Sequence, residues 1–152
     1  MTVHYRLREQ AAWIILDRPD ALNALDFSTL HALEEAFVRA ERDPEARVVV
    51  LTGRGRAFCA GGDIHQLLAE IEAPGHGHSY IDAVTRAFNA VRALGKPLVG
   101  CINGLAVGGG LELLLHCDLV VAADNARIGD GHANFAIFPG GGSSALLPRR
   151  LP

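Results

Sequence analysis

Three short runs without a charged side chain, Val48-Val49-Val50-Leu51, Leu98-Val99-Gly100-Cys101-Ile102 and Leu119-Val120-Val121-Ala122, constrain the fold of this chain more than any other feature. Runs of four or five apolar residues suit strands covered on both faces, and such strands belong to parallel sheets flanked by helices. The stretches between the runs supply the helices. Asp26 can cap a helix from Phe27 to about Arg42, where Leu30, Leu33, Phe37 and Val38 recur at helical spacing and Asp43-Pro44 ends the pattern. Further helices are expected over 63–71, 80–94 and 108–116, the second broken by Gly95-Lys96-Pro97. Val3 to Leu7 and Ala11 to Leu16 read as an opening hairpin, with Trp13 a core residue, and Arg18-Pro19-Asp20 ends it. The alternation gives an α/β fold with largely buried strands.

Composition narrows the class. At 152 residues, 49% hydrophobic and 20% charged, the chain matches one soluble domain able to remove roughly two-thirds of its unfolded surface from water. Its 14 Lys and Arg against 17 Asp and Glu leave a net charge of -3, which gives no field for gripping a phosphate backbone, so no nucleic-acid partner is expected. Cys59, Cys101 and Cys117 are odd in number and form no Cys-x-x-Cys; they read as small buried hydrophobes in a reducing compartment. The start, Met1 to Glu9, is charged almost at once, with no apolar stretch of signal-peptide length. Between Leu98 and Ala123, the most apolar region, Asn103, Glu112, His116 and Asp118 intervene before a membrane-spanning length is reached. A cytoplasmic protein with no membrane partner is expected.

Three glycine clusters follow apolar segments: Ala60-Gly61-Gly62-Asp63, Gly108-Gly109-Gly110 and Gly140-Gly141-Gly142. Ordinary turns would explain them. No window supplies G-x-G-x-x-G, and Gly95-Lys96 is followed by Pro97, so neither nucleotide phosphate cradle is present. His76-Gly77-His78 lacks a third clustered ligand and reads as a solvated loop, so no metal site is expected. His4, His31 and His116 have no evident partner in the sequence.

The second cluster carries more. Glu112 sits among Leu111, Leu113, Leu114 and Leu115, and a carboxylate among leucines is costly unless partnered or used. If a helix begins near Gly109, Glu112 lies one turn later on the same face, so a free Gly109 N–H and a carboxylate would line one cleft. That pairing suits enolate chemistry: the amide stabilises an oxyanion while the carboxyl moves a proton. A Glu on a solvated helix edge is the alternative.

Leu16-Asp17-Arg18-Pro19-Asp20-Ala21-Leu22-Asn23-Ala24-Leu25, the segment from Val50 through Ala60-Gly61-Gly62-Asp63-Ile64, and Lys96-Pro97 through Cys117-Asp118 stand in order along the chain. Together they resemble the enoyl-CoA hydratase/isomerase (crotonase) family, from Leu16 to about Arg150. The resemblance implies a superhelix of ββα turns and an acyl-CoA thioester substrate, with coenzyme A as part of the substrate and no separate cofactor. It further implies an oxyanion hole of the Gly62 and Gly109 amides. By the same resemblance Ala24, Ala60, Asp63, Ile64 and His65 line the acyl-CoA site, and Glu112 matches the first catalytic glutamate. The family's second glutamate falls on His132, a departure, and that histidine either takes over the acid/base role or reports a different reaction; Asp130 could orient it. Family chains continue into C-terminal helices that close the acyl pocket and build a trimer or dimer of trimers. This sequence stops at Leu151-Pro152, so residues 1–152 are expected to be a single core domain, incomplete at its C-terminus, that self-associates. The activity implied is hydration of an α,β-unsaturated acyl-CoA. Isomerisation, another crotonase-family reaction, or a non-catalytic acyl-CoA-binding or assembly subunit are the alternatives.

Overall fold

The structure, a computed structural model, describes residues 1–72 and 79–151; the expected loop at His76-Gly77-His78 lies outside them. β1 (Val3–Arg8) and β2 (Ala11–Leu16) form the antiparallel hairpin. Glu9 and Gln10 turn the chain with φ of 50° and 63°, the left-handed geometry that matches the twist of a tight hairpin. Alternation along β2 buries Ala12, Ile14 and Leu16, which puts Trp13 on the other face, half-buried rather than in the core.

The expected first helix is α1 (Phe27–Arg42), and the Asp26 side chain accepts the Thr29 N–H at 2.7 Å as its N-cap. Leu30, Leu33, Ala36, Phe37 and Ala40 face the core. Val38 does not: one residue past Phe37, it is turned about 100° to the exposed side.

Beyond the hairpin, β3 (Val48–Gly53), β5 (Leu98–Ile102) and β7 (Leu119–Ala122) join β1 and β2 in a five-stranded sheet of order β1-β2-β3-β5-β7, parallel from β2 onward. Three short strands, β4 (Ala57–Cys59), β6 (Leu105–Val107) and β8 (Arg127–Gly129), make a second, all-parallel sheet. Each later strand pair is followed by helix: α2 (Ile64–Glu72) and α3 (Ser79–Arg92) after β4, α4 (Gly109–Leu115) after β6, and a 3-10 turn (His132–Phe135) and α5 (Ser143–Arg150) after β8. The chain thus winds as successive ββα turns. The core lies between the large sheet and the α1/α3 pair, with Phe37, Phe88, Ile14, Leu16, Leu30, Leu33 and Leu51 fully buried.

The expectation of buried strands fails at β7, where all four residues are exposed. β7 is the edge of its sheet, so its apolar side chains have no neighbouring strand beyond them among the described residues.

Candidate active site

The small sheet assembles the site. Its parallel register sets Cys59 beside Ala106 and Val107 beside Gly129, so the C-terminal ends of β4, β6 and β8 lie level. Whatever follows each strand therefore arrives at one place: Gly61-Gly62, Gly108-Gly109 and Asp130 to His132. A Cβ added to Gly61 would stand 3.0 Å from the Gly109 nitrogen, and one added to Gly108 would stand 3.9 Å from His132 Nε2. The carboxyl ends of parallel strands are where open α/β sheets bind ligands.

Glycine is required at this edge. Gly61 has φ of 95° and a neighbouring backbone too close for a side chain, and a Cβ on Gly62 would press against the Tyr80 hydroxyl at 2.9 Å. Gly62 bridges Leu25 in parallel fashion: the Leu25 N–H donates to the Gly61 carbonyl at 2.8 Å, and the Asp63 N–H donates to the Leu25 carbonyl at 3.1 Å. In that pattern the Gly62 N–H points away from Leu25. Gly109 opens α4, so its N–H has no intrahelical acceptor. Neither amide has a hydrogen-bond acceptor among the described residues.

Glu112, one turn into α4, is 3% exposed. It is partnered, not stranded: Oε1 accepts the Ser143 N–H at 3.1 Å, at the N-terminus of α5, while Oε2 lies 3.6 Å from His132 Nε2. Gly141 closes over the carboxylate so tightly that a Cβ there would sit 2.6 Å from Oε2 and 2.7 Å from the Phe88 ring. The Gly141 carbonyl is pinned by Arg92, which donates at 3.0 Å, and by His116 Nε2 at 3.1 Å. Burial is the main reason the His116 imidazole is held below its ordinary value, which keeps it a neutral donor to that carbonyl.

His132 lies between two carboxylates. Its Nδ1 is 2.6 Å from Asp130 Oδ1, its backbone N–H donates to the same oxygen at 2.9 Å, and Nε2 faces Glu112. Amides without an acceptor, next to an imidazole and a carboxylate, are the kinds of group that can hold a developing oxyanion and move protons. Cys59, though adjacent, takes no part, because burial pushes its thiol up to about 12. No cluster able to hold a metal ion occurs among the described residues.

Residues 7–152 match the enoyl-CoA hydratase/isomerase family. The chain belongs to that family. The carnitinyl-CoA dehydratase of Proteus mirabilis (strain HI4320) is 42% identical over 154 residues, 99% of this chain and 57% of the relative. The crotonyl-CoA hydratase of Syntrophomonas wolfei is 36% identical over 144 residues, 93% of this chain and 54% of the relative. Among solved structures, an enoyl-CoA hydratase from Polaromonas sp. JS666 superposes with a TM-score of 0.90 at 36% identity, covering 99% of this chain and 59% of that one. The fold is the crotonase fold. This hydratase/isomerase-family chain therefore spans little more than half the length of the relatives it matches.

Of the family residues expected from the sequence, Gly62, Gly109, Glu112 and His132 come together at the small-sheet edge. Ala24, Ala60, Asp63 and Ile64 are half-buried around the first glycine turn, and His65 is exposed on α2. The Ala24 carbonyl and the Asp63 carboxylate are both occupied by Arg18, at 2.7 and 3.3 Å, which fixes the loop. The histidines without evident partners have them: His4 lies 2.6 Å from Asp17, His31 3.7 Å from Glu35, and His116 meets Gly141. Sequence reasoning missed Tyr80, Ser143, Arg92 and the role of His116. Only Ser143, directly after the third glycine cluster, carried a local signal.

Proposed function

We propose that this chain forms the catalytic core of an acyl-CoA hydratase that adds water to an α,β-unsaturated acyl-CoA through a thioester enolate. The observation that carries the reading is the buried Glu112 carboxylate, which faces His132 Nε2 at 3.6 Å beside the unoccupied Gly62 and Gly109 amides. Ionised Glu112 takes a proton from water as the water oxygen bonds to the β-carbon. The C=C electron pair shifts to the α-carbon and thioester oxygen, and the two amides stabilise the resulting enolate, each worth about 3 kcal/mol of barrier. Protonated His132 then gives its Nε2 proton to the α-carbon. Ala60, Asp63, Ile64 and His65 would flank the coenzyme A portion and Ala24 the same pocket. Run in reverse, the same groups dehydrate a β-hydroxyacyl-CoA, the sense suggested by the dehydratase relative.

Free thiols at Cys59, Cys101 and Cys117 are consistent with a reducing, cytoplasmic setting. The exposed apolar residues Leu119, Val121 and Phe138, 64%, 62% and 80% accessible, support a homo-oligomeric assembly. No helix among the described residues is long and apolar enough to cross a membrane.

The competing reading, a subunit that binds acyl-CoA without turning it over, draws on the absent second glutamate; the His132–Glu112 approach weighs against it. A short 2-enoyl-CoA followed by its absorbance separates them. The parent chain is expected to consume the substrate and Glu112→Gln to lose about 100-fold or more in kcat. Acyl-CoA binding with no turnover in the parent would favour the non-catalytic subunit.

A further inference from the structure

We propose that Asp130 is a positioning residue of this site: it accepts a hydrogen bond from Nδ1–H of His132, making Nε2 the ring atom that exchanges protons with Glu112 and with the substrate, and it balances the charge His132 carries when Nε2 is protonated. The inference rests on the hydratase reading for its chemistry, and on geometry alone for the ring's orientation.

The 2.6 Å approach of Nδ1 to Oδ1 has one consistent assignment. An ionised carboxylate only accepts, so the proton between them belongs to Nδ1. Asp130 is kept ionised chiefly by the backbone N–H of His132, which holds its carboxyl below the usual carboxylate range, with the ring contact adding to the effect. With Nδ1 committed, Nε2 is a bare base when the ring is neutral and an N–H donor when it is charged. The 12% exposed His132 side chain has little freedom to turn Nδ1 inward instead.

The arrangement closes a proton circuit. Hydration leaves the proton taken from water on Glu112, and leaves His132 short of the proton it gave to the α-carbon. Since Oε2 and Nε2 are 3.6 Å apart, that proton can return from the carboxyl to Nε2 after a small approach or through one water, restoring ionised Glu112 and protonated His132. Water's two hydrogens are then accounted for, one in the new hydroxyl and one replacing the proton delivered to the α-carbon. Without a fixed tautomer, the ring could present Nε2–H to Glu112 while neutral, and the return step would have no acceptor.

Among the described residues, the charged groups paired with His132 are Asp130, just past β8, and Glu112 on α4; behind Glu112 stand His116 and, from α3, Arg92. Asp130→Asn isolates the first of these. Its amide oxygen can still accept the His132 backbone N–H, so the turn is retained while the charge is lost, and the 38% exposed side chain makes the substitution tolerable.

The test combines steady-state kinetics across pH with nitrogen-15 NMR of the imidazole. The parent is expected to carry its neutral-state proton on Nδ1. In Asp130→Asn the proton should redistribute toward Nε2, kcat fall about 10- to 100-fold with KM within about twofold, and the basic limb of the pH–rate profile move to lower pH. A residue that merely braced the turn would change neither the tautomer nor that limb. A parent ring protonated on Nε2, or an Asp130→Asn variant with the parent's rate and pH profile, overturns the proposal. If the parent turns over no enoyl-CoA yet shows the Nδ1-protonated ring, the hydratase reading fails and the positioning role stands.

Discussion

Tyr80 controls the direction of the Gly62 amide without carrying any chemistry. Its hydroxyl donates to the Leu25 carbonyl at 2.6 Å and accepts the Asp63 N–H at 3.1 Å, which clamps the two partners of the bridge that aims Gly62. Burial pushes this hydroxyl up to about 12, so it remains a donor at any practical assay pH. Tyr80→Phe removes one oxygen and keeps the ring that packs edge-on against Phe27, with centroids 5.4 Å apart. The expected cost is about 1 kcal/mol of stability, read from a denaturant midpoint. Because the proposed oxyanion donor loses its brace, kcat for the proposed reaction should fall further than KM rises. Lost stability with an unchanged kcat would reduce Tyr80 to packing. Nothing in its own neighbourhood advertises this role, since Leu25 lies 55 residues away.

Among the elements, α1 shows what local sequence can specify. A capping aspartate, a recurring apolar face and a terminal Asp-Pro are all local, and the helix runs from Phe27 to Arg42 as they require. Asp26→Ala should lower stability by about 1 kcal/mol from the lost cap, with an added contribution from the ion pair to Arg18 at 3.2 Å. Urea titrations should show a lower midpoint at unchanged slope; an unaltered midpoint would mean the helix does not depend on its cap. The strands β4, β6 and β8 were not legible, because three residues are too few to display a period. Yet these strands deliver the site. The glycines and Glu112 could be picked out by type and spacing, and His132 by resemblance, whereas the contacts joining them depend on the register of a sheet that no local pattern announces. The exposure of β7 is likewise set by its place at the sheet edge, not by its composition.

Across the whole molecule, acid should loosen the structure in two stages, set by groups that bind protons differently in the folded and unfolded chains. His116 is the first. Half-buried, edge-on to Phe88 and bonded to the Gly141 carbonyl, it is harder to protonate when folded. The unfolded chain therefore takes up more protons below about pH 6.5, and stability that is complete above that pH is lost as pH falls. Asp43, held low by the Tyr5 hydroxyl, and Asp130, held low by the His132 N–H, form the second stage. Their contributions persist until the pH passes below the usual carboxylate range, and then they too are lost. Melting temperatures measured from pH 8 to 3 should decline first below about 6.5 and again below about 4. His116→Gln, which retains a donor for Gly141 but cannot titrate, should abolish the upper decline and spare the lower one. Since Gly141 covers Glu112, the enoyl-CoA turnover proposed for the parent should also fall within the upper stage, before bulk unfolding is seen. A melting temperature that stays flat from pH 8 to 5 would show that His116 is protonated equally well in both states, and the proposed coupling between this half-buried ring and the site would fail.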